Sequence, residues 1–241
     1  FASQVLSFVA AKSPASRDLI RHDLLEDLID AVMAPDPAYA NQVLEHFEEA
    51  GISHAKIVDR YLPEAARRLG AAWCEDEMSF ADVTIGSARL QAILRDLRAP
   101  NVSLPRAPGV LVIVPEEAYH TLGAGVLADQ LRRLGASPRM ALGLAPMALS
   151  ELIETHDFNA VMISAAACER LESLRDLVNC VRTALSTKSV PIIVGGSVTE
   201  KDTDIITLTG ADYVSIDPEE ALRACGKMTR THAAASPGPR D

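Results

Sequence analysis

The sequence VPEEAYHTLG, residues 114–123, lies where the hydrophobic pattern of the chain changes. The residues just before its loop, 110–114, are uniformly apolar, as expected of a strand that is buried on both faces of a sheet. After it, apolar residues recur at helical spacing up to Gly135; they are Leu122, Val126, Leu127, Leu131 and Leu134. We therefore predict that His120 lies on a strand-to-helix loop. Such loops bind ligands in open α/β sheets, and an imidazole there can bind a metal ion or titrate near neutral pH.

The second half of the chain repeats this alternation of strand and helix. Further apolar strands are predicted, with helical segments between them, at 138–142, 160–166, 190–194 and 213–216. Short buried strands that alternate with helices form right-handed crossover units and a parallel sheet. We predict a flavodoxin-like or Rossmann-like domain over residues 109–228, with five parallel strands in the order 2-1-3-4-5.

The first hundred residues have a helical pattern instead. Four amphipathic segments are predicted within residues 16–100, which makes a helical-bundle cap in front of the α/β domain. Pro63 falls inside the third segment, so we expect a kink or a break there. The fourth segment begins with Ser79 and Asp82, which have the spacing of a capping box. The predicted fold class is thus α plus α/β, an N-terminal four-helix bundle followed by a five-stranded parallel sheet.

Composition and charge narrow the classes of function. The chain has 241 residues, of which 48% are hydrophobic. It has no apolar run of about 18 residues, so no membrane span is expected. The four cysteines are scattered and lack C-x-x-C spacing, so neither a zinc site nor a disulfide framework is expected; they are Cys74, Cys168, Cys180 and Cys225. A reducing cytoplasm is therefore predicted. The net charge of -10 argues against broad contact with nucleic-acid phosphates and favours a partner protein or a small ligand. Residues 229–241 are predicted to be a disordered tail.

Small and polar residues follow three of the predicted strands at one edge of the sheet. Besides the loop of His120, they are Ser164, Ala165 and Ala166 after the third strand and Gly195, Gly196 and Ser197 after the fourth. In the order 2-1-3-4-5 these three ends are neighbours, small residues leave a slot between them, and paired glycines let a ligand approach the backbone. Each feature alone is typical of an ordinary tight turn, whereas the combination favours a ligand site.

Two other classes of protein with this fold match the residues at the strand ends less well. A phosphoreceiver domain needs acidic residues after the first strand, which Glu116 and Glu117 could supply, and an Asp after the third, where this chain has Ser164. An FMN-binding flavodoxin needs a Ser/Thr-rich phosphate loop, for which only Thr121 qualifies. There is no Gly-rich dinucleotide turn either.

The three strand ends together resemble the cobalamin-binding domain of corrinoid proteins. The pattern Asp-x-His-x-x-Gly of that domain corresponds to residues 118–123, AYHTLG. Its Ser-x-Leu corresponds to residues 164–166, SAA, and its Gly-Gly to residues 195–196. The resemblance implies base-off, His-on binding, in which His120 is the lower axial ligand of cobalt. The dimethylbenzimidazole tail of the cofactor would then fill the slot between the strand ends.

The same resemblance assigns two groups of residues to the cofactor. Those in the α/β domain are Glu117, Tyr119, Thr121, Leu122, Gly123, Ser164, Ala165, Ala166, Gly195, Gly196 and Ser197. Corrinoid proteins also place a helical cap before the cobalamin domain. Trp73 and Met78 are therefore predicted to cover the upper face of the corrin.

The chain departs from the corrinoid pattern at three places. Ala118 replaces the Asp of the His motif, Ala166 replaces the Leu, and residues 83–84, VT, replace a Glu-His pair in the cap. The missing Asp normally accepts from the second imidazole nitrogen, so the proton relay of methyl transfer would depend on a neighbouring Glu. Cys74 stands where adenosylcobalamin photoreceptor regulators have a His, and it is either an upper-face thiol or a buried, inert one.

Two longer stretches resemble the AerR/PpaA antirepressors of purple photosynthetic bacteria. They are LPEAARRLGAAWCEDEMSFADVTIGSARLQ, residues 62–91, and PEEAYHTLGAG, residues 115–125. Those antirepressors bind cobalamin and act on the CrtJ/PpsR repressor of photosynthesis genes. The resemblance implies a light-responsive transcription regulator, not an enzyme, with a hydroxo-, methyl- or adenosyl-cobalamin and with no contact to DNA or only an indirect one. A corrinoid methyl carrier of a methyltransferase system, or a B12-type fold without its ligand, remains an alternative.

Overall fold

A five-stranded parallel sheet forms the centre of the C-terminal half of the molecule. The computed structural model describes residues 20–36, 38–98, 107–116, 121–186 and 188–223. The strands are β1 Gly109–Val114, β2 Ser137–Leu142, β3 Ala160–Ser164, β4 Ile192–Gly195 and β5 Tyr213–Val214. They are all parallel, in the order β2-β1-β3-β4-β5. The strand order predicted from the sequence is confirmed; β3 ends at Ser164, so Ala165 and Ala166 follow the strand although the predicted strand range ran to residue 166.

Helices form the cap and cover both faces of the sheet. Those of the cap are α1 His22–Met33, α2 Ala38–Glu49, α3 His54–Lys56, α4 Leu62–Cys74 and α5 Phe80–Leu97. Those around the sheet are α6 Thr121–Arg133, α7 Pro146–Thr155, α8 Leu171–Leu185 and α9 Ile205–Thr209. A π-helical turn, Ile57–Tyr61, joins α3 to α4, a 3₁₀ turn, Ser197–Glu200, follows β4, and the chain is again helical over 218–223.

The sheet has an apolar core on each face because successive strand residues point to opposite sides. In β1, Val112 packs with residues of α6 and of segment 218–223, whereas Ile113 packs with residues of α7 and α8. Leu134, which the sequence pattern placed on the apolar stripe of α6, is exposed instead. The reason is that α6 has already ended and Gly135, with φ +83°, turns the chain away.

The predicted four-helix cap is confirmed as α1, α2, the rod made of α3, the π turn and α4, and finally α5. Its buried core includes Leu24, Leu28, Phe47, Leu69 and Leu90. The capping box of Ser79 and Asp82 at the start of α5 is formed. Helix α1 begins at His22; Arg21 before it is extended, and its N–H donates to the hydroxyl of Tyr61 at 3.1 Å.

The break predicted at Pro63 takes the form of the π-helical turn. Proline has no N–H to donate, and in a regular α-helix its ring clashes with the carbonyl four residues earlier. Here the N–H of Leu62 donates to the carbonyl of Ile57, five residues back, so the helix is wider just before the proline. Asp59, inside this turn, thereby reaches α6, as described below.

The cap and the sheet meet where α5 lies against α6. Gly125 allows a close approach, since a methyl group there would lie 2.7 Å from Cδ2 of Leu94. The amide of Gln91 donates to the hydroxyl of Thr121 at 3.0 Å. Leu122 also packs against the apolar core of the cap. The two halves therefore share one continuous seam of contacts.

Parts of the predicted domain boundaries lie outside the described residues. This holds for residues 16–19, for 99–106 between the cap and the sheet, and for the predicted tail at 229–241. The limits 16–100 and 109–228 therefore stay predictions. Within the ranges that the structure describes, no helix is both long and apolar enough to cross a lipid bilayer.

Candidate functional site

A cavity of about 160 Å³ lies between α6, the ends of β3 and β4, and the π turn of the cap. From the sheet it is lined by Met162, Ile163, Ser164, Ile193, Gly195 and Gly196. From α6 and the cap it is lined by Gly123, Val126, Leu127, Gln130, Asp59 and Pro63. The chain after β5 adds Ser215, Ile216, Asp217, Pro218 and Ala221. The cavity opens at the sheet edge where the sequence predicts a ligand, and both halves of the molecule form its walls.

Ser164 puts a hydroxyl group into a mostly apolar wall. It is the last residue of β3 and shares a strand face with Met162, two residues earlier. Only 5% of Ser164 is exposed, and its hydroxyl has no hydrogen-bond partner among the residues described. A hydroxyl in the wall of a cavity can donate a hydrogen bond to a ligand that enters it.

Gly195 and Gly196 line the cavity and are also required by the fold. A methyl group at Gly195 would lie 2.5 Å from the carbonyl oxygen of Ser215. Gly196 has a φ of +98°, which residues with a side chain rarely adopt. The paired glycines were predicted to let a ligand approach the backbone. At Gly195, the group that approaches is the backbone of Ser215.

Three residues that the sequence analysis assigned to the cofactor lie behind the cavity wall. Ala165 and Ala166 are buried, and the N–H of Ala165 donates to the carbonyl of Gly195 at 2.9 Å. The buried hydroxyl of Ser197 accepts from the N–H of Ala167 at 2.9 Å. These contacts fix the strand ends against each other, and a direct role at the cofactor stays a prediction.

The first turn of α6 divides its residues between the cavity and the cap. Gly123 lines the cavity. Thr121 accepts the hydrogen bond of Gln91, and Leu122 packs on the core of the cap. Of the three residues predicted here to bind the cofactor, the structure brings one to the cavity and two to the seam.

The cap residues predicted at the upper face do not line this cavity. Trp73 and Met78 are half-buried and pack against the apolar core of the cap. Cys74, at the end of α4, is exposed, so the expectation that it is a buried thiol was wrong. A role for these side chains at the upper face of a corrin stays a prediction.

His120, Glu117 and Tyr119 lie outside the described residues, as does Ala118. In the chain, His120 comes directly before α6, whose first turn holds Gly123 at the cavity. Among the residues with described positions, no group of three His, Cys, Asp or Glu side chains is arranged to hold a metal ion.

A polar network between the cap and α6 was not found from the sequence. Asp59 accepts hydrogen bonds from Nε2 of Gln130 at 3.1 Å and from the guanidinium of Arg133. Arg133 also donates to the buried carboxylate of Asp129 at 2.9 Å. Burial acts against the charged form of Arg133, but the bonds and charges of the two carboxylates outweigh burial and raise the pKa of this side chain. Since Asp59 and Gln130 also line the cavity, the network belongs to its wall.

The fold is that of the corrinoid-binding proteins, a Rossmann-like sheet with an N-terminal helical cap. The monomethylamine corrinoid protein of Methanosarcina barkeri superposes on 87% of this chain and 100% of its own, with a TM-score of 0.68 and 16% identity. A cobalamin-binding protein of Desulfitobacterium hafniense DCB-2 covers 87% of this chain and 98% of its own, at 17% identity and a TM-score of 0.43. These likenesses concern the fold alone.

Sequence similarity then gives the family. The chain is 35% identical over 179 residues to the uncharacterized 20.5 kDa protein in the bchF-crtJ intergenic region of Rhodobacter capsulatus. The alignment covers 73% of this chain and 93% of that relative, and the chain belongs to the same family. No family model matches the chain.

Proposed function

We propose that this protein binds cobalamin and acts as a light-responsive antirepressor through a partner protein, without being an enzyme. The observation that carries the proposal is the cavity at the ends of β3 and β4, which reaches the first turn of α6 directly after His120. For base-off cobalamin, His120 would hold cobalt and the cavity would take the nucleotide tail.

The walls of the cavity fit the tail of base-off cobalamin. Met162 and Ile193 offer apolar surface to an aromatic base, and the free hydroxyl of Ser164 can donate to a ring nitrogen. Gly195 adds no side chain that would fill the slot. His120 would hold cobalt from below through one imidazole nitrogen. When bound, methylcobalamin or adenosylcobalamin would supply a cobalt–carbon bond that light can break.

Two observations favour regulation over methyl transfer. The R. capsulatus relative is named for its place between bchF and crtJ, a region of photosynthesis genes. Ala118 and residues 83–84 lack the Asp and the Glu-His pair of the corrinoid pattern, so the chain does not offer the usual proton relay. A net charge of -10 favours a protein partner over DNA, and we propose a repressor of the CrtJ/PpsR type.

A switch of this kind requires that the cofactor interact differently with two arrangements of the protein. The seam between α5 and α6 is the natural place for the difference, because the cap contacts the sheet domain there through Gln91 and Leu94. A change of upper ligand would alter how closely the cap can approach, and the repressor would bind one arrangement better than the other.

Absorption spectroscopy of the purified protein tests the proposal. Hydroxocobalamin, methylcobalamin and adenosylcobalamin are added in the dark and the spectra are recorded before and after illumination, with the wild type, His120→Ala and His156→Ala. His156 is an exposed histidine at the end of α7, away from the cavity, and serves as the matched control. We expect binding of at least one cobalamin, a light-dependent spectrum, and loss of the His-on spectrum in His120→Ala alone.

Binding to a purified CrtJ/PpsR-type repressor, measured in the dark and after illumination, tests the output. A difference between the two states supports the antirepressor. Cobalt that cycles between methylated and reduced forms with a methyltransferase, and shows no light response, would favour the methyl carrier instead. A protein that binds none of the three cobalamins has the fold without the ligand.

A further inference from the structure

We propose that Asp59 and Gln130 bind the nucleotide tail of the corrinoid, so that the helical cap closes the lower end of the cofactor as well as its upper face. This inference rests on the proposed cobalamin binding. The sequence pattern of corrinoid proteins places the lower tail in the α/β domain alone. In this structure the π turn of the cap forms one wall of the same cavity, through Asp59 and Pro63.

The position of Gln130 shows how far the cavity extends along α6. Gly123, in the first turn of α6, and Gln130, two turns later, line the same cavity. Seven residues of α-helix correspond to a rise of about 10 Å. A corrin ring held at the sheet edge would not reach this depth, whereas the tail, with its phosphate, ribose and base, would be long enough. The group that meets Asp59 and Gln130 is therefore the tail.

The chemistry of the two side chains suits that tail. Asp59 already accepts from Gln130 and Arg133, but a carboxylate has about four lone-pair positions and can accept a further hydroxyl. The amide of Gln130 has a second N–H and a carbonyl oxygen in addition to the N–H that it donates to Asp59. A base-off nucleotide offers the matching groups, which are ribose hydroxyls as donors and ribose and phosphate oxygens as acceptors.

The π turn explains why this contact depends on the cap. It is caused by Pro63 and brings Asp59 to α6 across a sequence separation of 71 residues from Gln130. Arg133, which also donates to Asp129, then holds Asp59 in place from the side of α6. A tail bound against Asp59 must therefore stabilise the seam between the cap and the α/β domain, and an open seam must weaken binding of the tail.

The test compares cobalamin with cobinamide, a corrinoid that lacks the nucleotide tail. Affinities are measured by quenching of Trp73, the single tryptophan, and by cobalt absorption, for the wild type, Asp59→Ala, Asp59→Asn, Gln130→Met and Glu64→Ala. Glu64 is the matched control because it forms a comparable ion pair within the cap, with 25% of its side chain exposed against 27% for Asp59, and it does not line the cavity.

We expect Asp59→Ala and Gln130→Met to weaken cobalamin binding about ten-fold or more and to change cobinamide binding less than about two-fold. Asp59→Asn, which keeps an acceptor oxygen, should lose less, and it reports on the inference if Asp59→Ala does not fold. Cobalamin, but not cobinamide, should also slow amide hydrogen exchange in the π turn of the wild type.

Three outcomes overturn the inference. The first is unchanged cobalamin affinity in the folded Asp59 and Gln130 variants, which leaves the proposed function intact. The second is an equal loss for cobalamin and cobinamide, which would mean that the network only supports the fold. The third is that the wild type binds neither corrinoid, in which case the proposed function fails as well.

Discussion

Two glycines next to the candidate site are crowded to a similar degree but by different neighbours. A methyl group at Gly195 would lie 2.5 Å from the backbone oxygen of Ser215, and one at Gly125 would lie 2.7 Å from Cδ2 of Leu94. We predict that Gly195→Ala strongly destabilises the protein and that Gly125→Ala does not, although the two overlaps differ by only 0.2 Å. The predicted difference in stability arises because a backbone atom cannot move away as easily as the end of a side chain.

At Gly195 the neighbour is the backbone of Ser215, which directly follows β5. Ordinary contacts of a Cβ atom begin at 3.4 Å, so the two backbones must separate by about 0.9 Å. The N–H of Ser215 donates to the carbonyl of Val194 at 3.2 Å, and this sheet bond would be lost or stretched. Overpacking of this kind costs about 1–3 kcal/mol.

At Gly125 the neighbour is the end of a flexible side chain. Leu94 can change its rotamer, and alanine within a helix is more stable than glycine by about 0.8–1 kcal/mol. The two effects oppose each other, so the free energy of unfolding of Gly125→Ala should stay within about 1 kcal/mol of the wild type.

Urea denaturation followed by circular dichroism measures both variants. For a chain of this size, 1 kcal/mol corresponds to about 2–4 °C in melting temperature, which gives an independent check by thermal unfolding. A Gly125→Ala variant that loses as much stability as Gly195→Ala would refute the reasoning, because it would show that the overlap and not the mobility of the neighbour decides the cost.

Three further predictions follow from contacts near the site and in the cap. Ser197→Ala leaves the half-buried N–H of Ala167 without its acceptor and should cost about 1 kcal/mol in urea denaturation; an unchanged midpoint would contradict the structural role given to this hydroxyl. Ser79→Ala removes the cap of α5 and should cost about 1 kcal/mol, whereas Ser79→Asp should restore most of it. The hydrogen bond from Arg67 lowers the pKa of Glu64 despite partial burial. The stabilisation of the fold by this ion pair is therefore fully present above the unfolded pKa of about 4.3 and is lost as the pH falls through the lower folded pKa. Melting temperatures from pH 3 to pH 7 should therefore fall less steeply on acidification in Glu64→Gln than in the wild type; parallel curves would contradict this assignment.

The strand order could be predicted because buried parallel strands leave a simple pattern. Residues 110–114 and 160–163 are apolar on both faces, and helical segments separate them, so a parallel sheet covered on both sides suits them. The start of α5 was predictable for a local reason, since the capping box of Ser79 and Asp82 involves residues three positions apart. Both signals depend on neighbours in the chain.

The wall of the cavity contributed by the cap could not be predicted in the same way. That Pro63 would disturb its helix was clear, but the form of the disturbance, a π turn, depends on the packing of the whole rod. The contact of Asp59 with Gln130 joins residues 71 positions apart. Likewise, the sequence does not indicate whether the side chain of Ser197, which follows β4, faces the cavity or the chain behind it. In the structure its hydroxyl accepts from the N–H of Ala167 and does not line the cavity.

Gly195, the last residue of β4, and Gly196 after it also change how much weight the corrinoid pattern carries as evidence for a ligand. Gly195 is required by the carbonyl of Ser215 and Gly196 by its positive φ, so this fold needs both whether or not a ligand binds. Residues that the fold does not need are better evidence for a ligand. Ser164 is such a residue, because an alanine would fit the apolar wall at least as well as a hydroxyl without a partner among the described residues. Ser164→Ala should therefore leave stability unchanged or raised while weakening cobalamin binding, and a loss of stability without a loss of affinity would show that the hydroxyl serves the fold instead.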